Sequence, residues 1–588
     1  MTHDVPRSAP MPKGENPMLA FLRTFFAVIA AIVFLVMVPL VVLVSFAVMQ
    51  DTGPRKDSWL VVKLNGPLME WYGPSTVRDL FDDSPPCLME ITENLEKAAV
   101  DPRIRGVILK IGPLGAGPGK LDEIRAGLAH VRHSGKRVYA HAQQLTDAGL
   151  YLASACDSTF LLPEGEVMLL GRGVTIPHFK GTLEKLDVHD QLDVIGEYKS
   201  AAELFTAKQS SKEAVENLKW LFDELGAAYD DTLSAARKLD PGALAKLRGR
   251  AILRAKEAKE AGLVDGLAYW DELEERLKSP HDELRTVSSQ DYAKIDRRSL
   301  GLAGRKKIAV VHGQGFISSD GEDRYDAMWG IVMGPDRVVE DLDRARRDDG
   351  VDAILLRWDT PGGATDGSQR IARAVARARE DKPVVVSIAD EAASGGYMVS
   401  FPADRIVCPP NGITGSIGSI TGKLNMRGLW EKAGITFDDL AFSPNAFLYS
   451  DLHDWTPEQR QLVSDEHHAF YRDWVESIAK ARHLPPDKVD ENGRGKVWTG
   501  REAKERGLVD SLGGWDDAVS VLRQVAKLRE NEKLDFEHWP KKESLMEVLL
   551  SGHLGRMVTS EVVLQARESV AATMESSNLL LWEPLSIR

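Results

Sequence analysis

Residues 257–272, EAKEAGLVDGLAYWDE, recur with few changes as EAKERGLVDSLGGWDD at residues 502–517. Read backwards from these two stretches, further pairs fall into the same order. RGVILKIGPLG (105–115) answers DAILLRWDTPGG (352–363), and the amphipathic ITENLEKAAVD (91–101) answers VVEDLDRARRD (338–348). WLVVKLNGPL (59–68) answers KIAVVHGQGFI (307–317). One such match could arise by chance, but four in one order mark an internal duplication. The copies span 58–275 and 305–530, with 276–304 as connector and 531–588 as a carboxy-terminal extension.

Within each copy, short β-branched runs (IAVVHG, AILLRW, PVVVSIAD) alternate with stretches whose apolar residues recur at helical spacing, such as GSQRIARAVARARE. Alternating β and α elements predict a mostly parallel sheet covered by helices. Sites in such sheets gather in loops beyond the carboxyl ends of the strands. Both DTPGG (359–363) and ADEAASGG (389–396) fall there. TPEQRQLVSDEHHAFYRDWVESIAKAR (456–482) reads as one long helix.

A chain of 588 residues exceeds one ordinary core, in keeping with two repeats. Its net charge of −14, without a basic stripe, argues against a nucleic-acid partner. Cys87, Cys156 and Cys408 are too few and too scattered for a disulfide framework or zinc site and are expected to be buried as small apolar residues. HExxH and EF-hand patterns are absent, and the adjacent His467 and His468 point to different helix faces. No metal or cofactor is expected.

Phe25–Met49 carries no charged residue. As a helix it would run about 37 Å, enough for a hydrocarbon core of about 30 Å. It is longer than the ~7–15 apolar residues of a cleaved signal peptide, which favours an uncleaved transmembrane anchor behind an amino-terminal tail, residues 1–24. Arg7, Lys13 and Arg23 before it balance Arg55, Lys56 and Lys63 after it, so charge alone leaves orientation open.

The copies differ where chemistry would sit. Aligning Tyr151 with Tyr397 sets Ala148 of the first copy opposite Ser394 of the second, and GPLG replaces TPGG. The first copy instead offers GEYKSAAELF (196–205) with Lys199, where the second has FSPNAFLYS (442–450) and no lysine between Lys432 and Lys480. One composite site, pooled from both copies, explains this complementary loss. A serine hydroxyl needs a neighbour to remove its proton, and a neutral lysine amine can do so. Bringing a lysine near pH 7 takes ~4 kcal/mol of bias against its cation, which burial away from carboxylates can supply. Glu197 and Glu203 must therefore point away from it. Gly362, Gly363 and Gly395 permit close backbone approach, as amide donors to an oxyanion require.

YKSA, PGG, AASGGY, TGSIG and VWTGREAKERGLVDSLG together resemble the signal peptide peptidase A family, in its long double-domain bacterial form. These are Ser–Lys peptidases of the Clp protease/crotonase-like superfamily. The resemblance covers about residues 58–530 and the apolar segment. It implies an α/β fold of tandem crotonase/Clp-protease-like domains, with Ser394 as nucleophile and Lys199 as general base. It further implies that Ser416 orients the lysine and that Gly363 and Gly395 form the oxyanion hole. By the same resemblance the chain is a homotetramer in the bacterial inner membrane, its catalytic bulk is extracytoplasmic, and its substrates are cleaved signal peptides and other apolar peptides. Two features depart from the family: the acids Asp390-Glu391 ahead of the serine, and the bulky, acidic Trp358-Asp359-Thr360 before PGG. In the extension, SLMEVLLSGHLGRMV (544–558) reads as an amphipathic docking helix or a contact with the membrane surface, with packing on its own domain the favoured reading.

Two other readings remain: a crotonase-like acyl-CoA enzyme, whose glycine turns hold a thioester oxyanion, and a catalytically silent membrane scaffold. The Ser/Lys complementarity and the membrane segment argue against the first. Joint retention of Ser394, Lys199 and Ser416 argues against the second.

Overall fold

The computed structural model describes residues 53–72, 87–278, 283–327 and 329–541. The apolar run 25–49 and the segment 544–558 lie outside them. Among the described residues no helix is long and apolar enough to cross a membrane.

In the first repeat the β-branched runs form a sheet ordered Ile252–Arg254, Ser158–Met168, Arg137–Leu145, Ile104–Gly115, Ser58–Pro67, Thr286–Ser288. The second repeats the arrangement: Val497–Thr499, Ile413–Gly415, Val384–Ala393, Val351–Thr360, Lys306–Gln314, Leu534–Trp539. Along each path only the first, short strand is antiparallel to its neighbour. The duplication is thus visible as matching topology, and each sheet is α/β and mostly parallel.

Both outer strands, Thr286–Ser288 and Leu534–Trp539, lie beyond the repeat limits read from the sequence. The first falls in the connector and pairs with Trp59–Val61; the second falls in the extension and pairs with Lys306–Val311. They are short and half-polar, and pairing to a neighbour distant in the chain makes them strands.

Period-two alternation distributes the second sheet between two cores. Ala309, Val311, Ile354, Leu356, Val384 and Val386 face one core. Ile308, Val310, Ala353, Leu355 and Val385 face another, which also contains Cys87 and Met89 from the first repeat. Burial on both faces explains why these strands read as continuous apolar runs. At ~1.5–3 kcal/mol for each fully buried aliphatic side chain, this shared core holds the repeats together. The long helix forms as Pro457–Arg482, with the Thr456 hydroxyl accepting from the Gln459 N–H. All three cysteines are buried and unpaired.

Candidate active site

The strand Val384–Ala393 ends in the middle of the second sheet and turns at once into the helix Gly395–Ser400. Ser394 occupies the turn at φ 54°, ψ −115°, a backbone conformation that costs a non-glycine residue ~1–3 kcal/mol. The Ser394 N–H donates to Gly415 O at 2.8 Å, and the Ser394 carbonyl accepts from Met398 N at 3.0 Å. These bonds hold the strained turn and leave the hydroxyl free to project from it. Strand–serine–helix geometry of this kind exposes a nucleophile.

The loop after Val351–Thr360 passes beside this turn. A side chain on Gly395 would lie 3.0 Å from Gly363 N, so the two amides are neighbours. Gly363 itself, at φ 156°, has no room for a Cβ, which would sit 2.2 Å from Ile317 O. Neither the Gly363 nor the Gly395 N–H has a hydrogen-bond acceptor among the described residues. Two adjacent open donors beside a serine hydroxyl suit a developing oxyanion.

Lys199 reaches this place on an arm of the first repeat. The strand His189–Ile195 pairs antiparallel with Ser419–Asn425 of the second repeat, setting Ile195 against Ser419, just past Ser416. His467 Nδ1 lies 2.7 Å from Asp193 Oδ2 and pins the arm to the long helix. Beyond the arm, Tyr198 N donates to Arg494 O at 3.0 Å. Gly495, at φ 81°, lies so near that a Cβ on it would be 2.3 Å from Lys199 N. Arg494 and Gly495 escaped the sequence reading, and His467 entered it only as unfit for metal; the NGRG turn (492–495) is the signal that could have pointed to a tight approach there.

Lys199 Nζ lies 2.7 Å from Ser394 Oγ and 3.0 Å from both Ser416 Oγ and the Ser416 carbonyl oxygen. Ser416 sits at φ 50°. Burial depresses the Lys199 amine from the ordinary 10.5 to about 7, with no charged neighbour contributing. The two glutamates close in sequence are engaged elsewhere: Glu197 pairs with Arg494 at 3.5 Å, and Glu203 accepts from Ser211 N at 2.9 Å. A neutral amine has two N–H donors and one lone pair. The two Ser416 oxygens satisfy the donors, which leaves the lone pair for the Ser394 hydroxyl proton. Lys199, Ser394, Ser416, Gly363 and Gly395, singled out in the sequence, are thus gathered in one place.

The model for peptidase family S49 matches residues 130–285 and 376–529, once in each repeat. The chain belongs to peptidase family S49. Lys199 lies within the first match and Ser394 and Ser416 within the second, while Gly363 falls outside both. The serine protease SPPA of Arabidopsis thaliana chloroplasts is 31% identical, covering 85% of this chain and 73% of that one. Protease 4 of Salmonella typhi is 34% identical, covering 75% and 72%. A putative signal peptide peptidase SppA of Enterococcus faecium is 30% identical, covering 40% of this chain and 68% of its own. This S49 member is a serine peptidase acting on peptides, and the acyl-CoA and silent-scaffold readings give way to that.

Proposed function

We propose that this S49 peptidase is a membrane-anchored endopeptidase that clears remnant signal peptides and other apolar peptides with a Ser394–Lys199 dyad. The observation that carries the reading is the 2.7 Å approach of Nζ to Oγ by an amine poised near pH 7. In acylation, neutral Lys199 takes the Ser394 proton as Oγ attacks the scissile carbonyl carbon. The Gly363 and Gly395 N–H groups hold the oxyanion of the tetrahedral intermediate. The Lys199 ammonium then protonates the leaving amine as the C–N bond breaks. In deacylation Lys199 takes a proton from water, the resulting hydroxide attacks the ester, and Lys199 returns a proton to Ser394 Oγ. Ser416 keeps the amine aimed throughout.

The apolar run Phe25–Met49 supports anchoring, and the name of the Enterococcus relative supports the substrate class. A homotetramer in a bacterial inner membrane, with the repeats on the extracytoplasmic side and a Clp protease/crotonase-like fold, completes the proposal. The test is acylation by a fluorophosphonate probe and cleavage of an apolar signal-peptide fragment. Wild type labels at Ser394 with a rate rising through about pH 7, while Ser394→Ala and Lys199→Ala are silent at neutral pH. Labelling of Lys199→Ala at the wild-type rate would remove the lysine from the mechanism.

A further inference from the structure

The strands that carry the two halves of the oxyanion hole lose their regular pairing just before they deliver them. Trp358 pairs with Ile388, but the next pair is Thr360 with Ala392, so the serine strand bulges by two residues opposite Asp359. In place of the ladder, Asp359 Oδ1 accepts the N–H groups of Asp390 and Glu391, at 3.3 and 3.4 Å. These are long contacts at a site where spacing decides catalysis.

The first repeat fills the gap. The helix Pro118–His133 sets its amino terminus against the bulge, and a Cβ on Gly119 would lie 2.2 Å from Ala389 O. The helix has no side-chain cap of its own. Asp390 caps it from the other repeat, accepting from Gly117 N and Lys120 N at 2.9 Å each. Lys120 Nζ lies 2.6 Å from Asp359 Oδ2 and 3.6 Å from Asp390 Oδ2, with its side chain 8% exposed. It also donates to Leu68 O at 2.9 Å. These carboxylates hold the ammonium well above its ordinary range despite burial, and burial pushes the Glu391 carboxyl up toward its neutral form. One cation therefore stands between two facing carboxylates, one on each strand. Of the acids that depart from the family pattern, Asp359 and Asp390 turn inward to the sister repeat, and none contributes to the depressed amine of Lys199.

We propose that Lys120 is a positioning residue for the oxyanion hole: by bridging Asp359 and Asp390 across the bulge, it sets the spacing of the Gly363 and Gly395 amides. The inference rests on the site assignment above. Without the ammonium nothing ties the two carboxylates across the bulge, and the loops they precede lose their spacing. A displacement near 1 Å at a catalytic group costs about 100-fold in rate.

The test uses the full-length enzyme in detergent with the peptide substrate. Lys120→Met lowers kcat at least about tenfold, leaves KM within about twofold, and weakens a peptide aldehyde analogue of the intermediate in proportion to kcat. The acid limb of the rate profile stays where wild type has it, because Lys199 is untouched. Lys120→Arg, which restores the cation, recovers most of the loss. Wild-type kcat in Lys120→Met overturns the proposal. So does a loss that travels with a shifted acid limb, or one that Lys120→Arg leaves unrepaired. If Lys120→Met does not fold, Asp390→Asn decides: it keeps an oxygen acceptor for the helix cap while removing one charge, and wild-type kcat there also overturns the proposal. Labelling of wild type at Ser394 in the same preparation separates any of these results from failure of the site assignment.

Discussion

Lys199→Met should abolish peptidase activity and, at neutral pH, make the protein more stable. In the unfolded chain this amine is protonated below its ordinary 10.5, whereas in the fold burial lowers it to about 7. The folded state therefore binds fewer protons than the unfolded one between those values. Its stability is greatest above 10.5 and falls by ~1.4 kcal/mol per pH unit as pH drops toward 7. By pH 7 the cost reaches ~5 kcal/mol. Methionine removes that cost but forfeits the contacts with Ser394 and the two Ser416 oxygens, worth ~1 kcal/mol each. Lys199 also keeps some exposed surface, which trims the figure further. A net gain of about 1–2 kcal/mol at pH 7 is the expectation. At pH 10 the wild type has recovered ~4 kcal/mol and the variant is the less stable of the two. Urea unfolding followed by tryptophan fluorescence at both pH values measures the difference. A stability difference that does not change with pH would refute the reasoning, because it would mean that the amine is an ordinary solvated lysine.

Ser416→Ala removes one of the two acceptors that aim the amine, the carbonyl remaining, so kcat should fall about tenfold with little change in KM, a single ~1.4 kcal/mol interaction. Gly495→Ala forces a Cβ to within 2.3 Å of Lys199 N at φ 81°, and steady-state kinetics should show about a 100-fold loss. Arg357, fully buried, lies 2.7 Å from Glu70 and 2.8 Å from Glu123, joining the repeats. Arg357→Met strands two carboxylates and should cost about 3–5 kcal/mol in urea unfolding, much of it recovered when Glu70→Gln and Glu123→Gln are added.

The duplication, the α/β alternation and the residues of the proposed site were legible in the chain because each leaves a local mark. Strands buried on both faces appear as apolar runs, tight turns as glycine pairs, and the split site as a serine in one copy and a lysine in the other. The outer strands Thr286–Ser288 and Leu534–Trp539 left no such mark, since their conformation comes from pairing with residues far away in sequence. In the chain the acids before the serine stood out only as a departure from the family pattern. In the fold, Asp390 and Asp359 instead grip the first repeat's helix and Lys120. His467, singled out only as unfit for metal, fastens the arm that carries Lys199.

The sequence by itself therefore singled out the groups of the proposed site and drew them from both halves. Tertiary structure decided how they meet: an antiparallel pairing of His189–Ile195 with Ser419–Asn425 places Lys199 beside Ser394, and enclosure there lowers its amine to about 7. Residue type is a property of one position. Desolvation and hydrogen-bond distance belong to the space between segments, and only the packed chain creates that space.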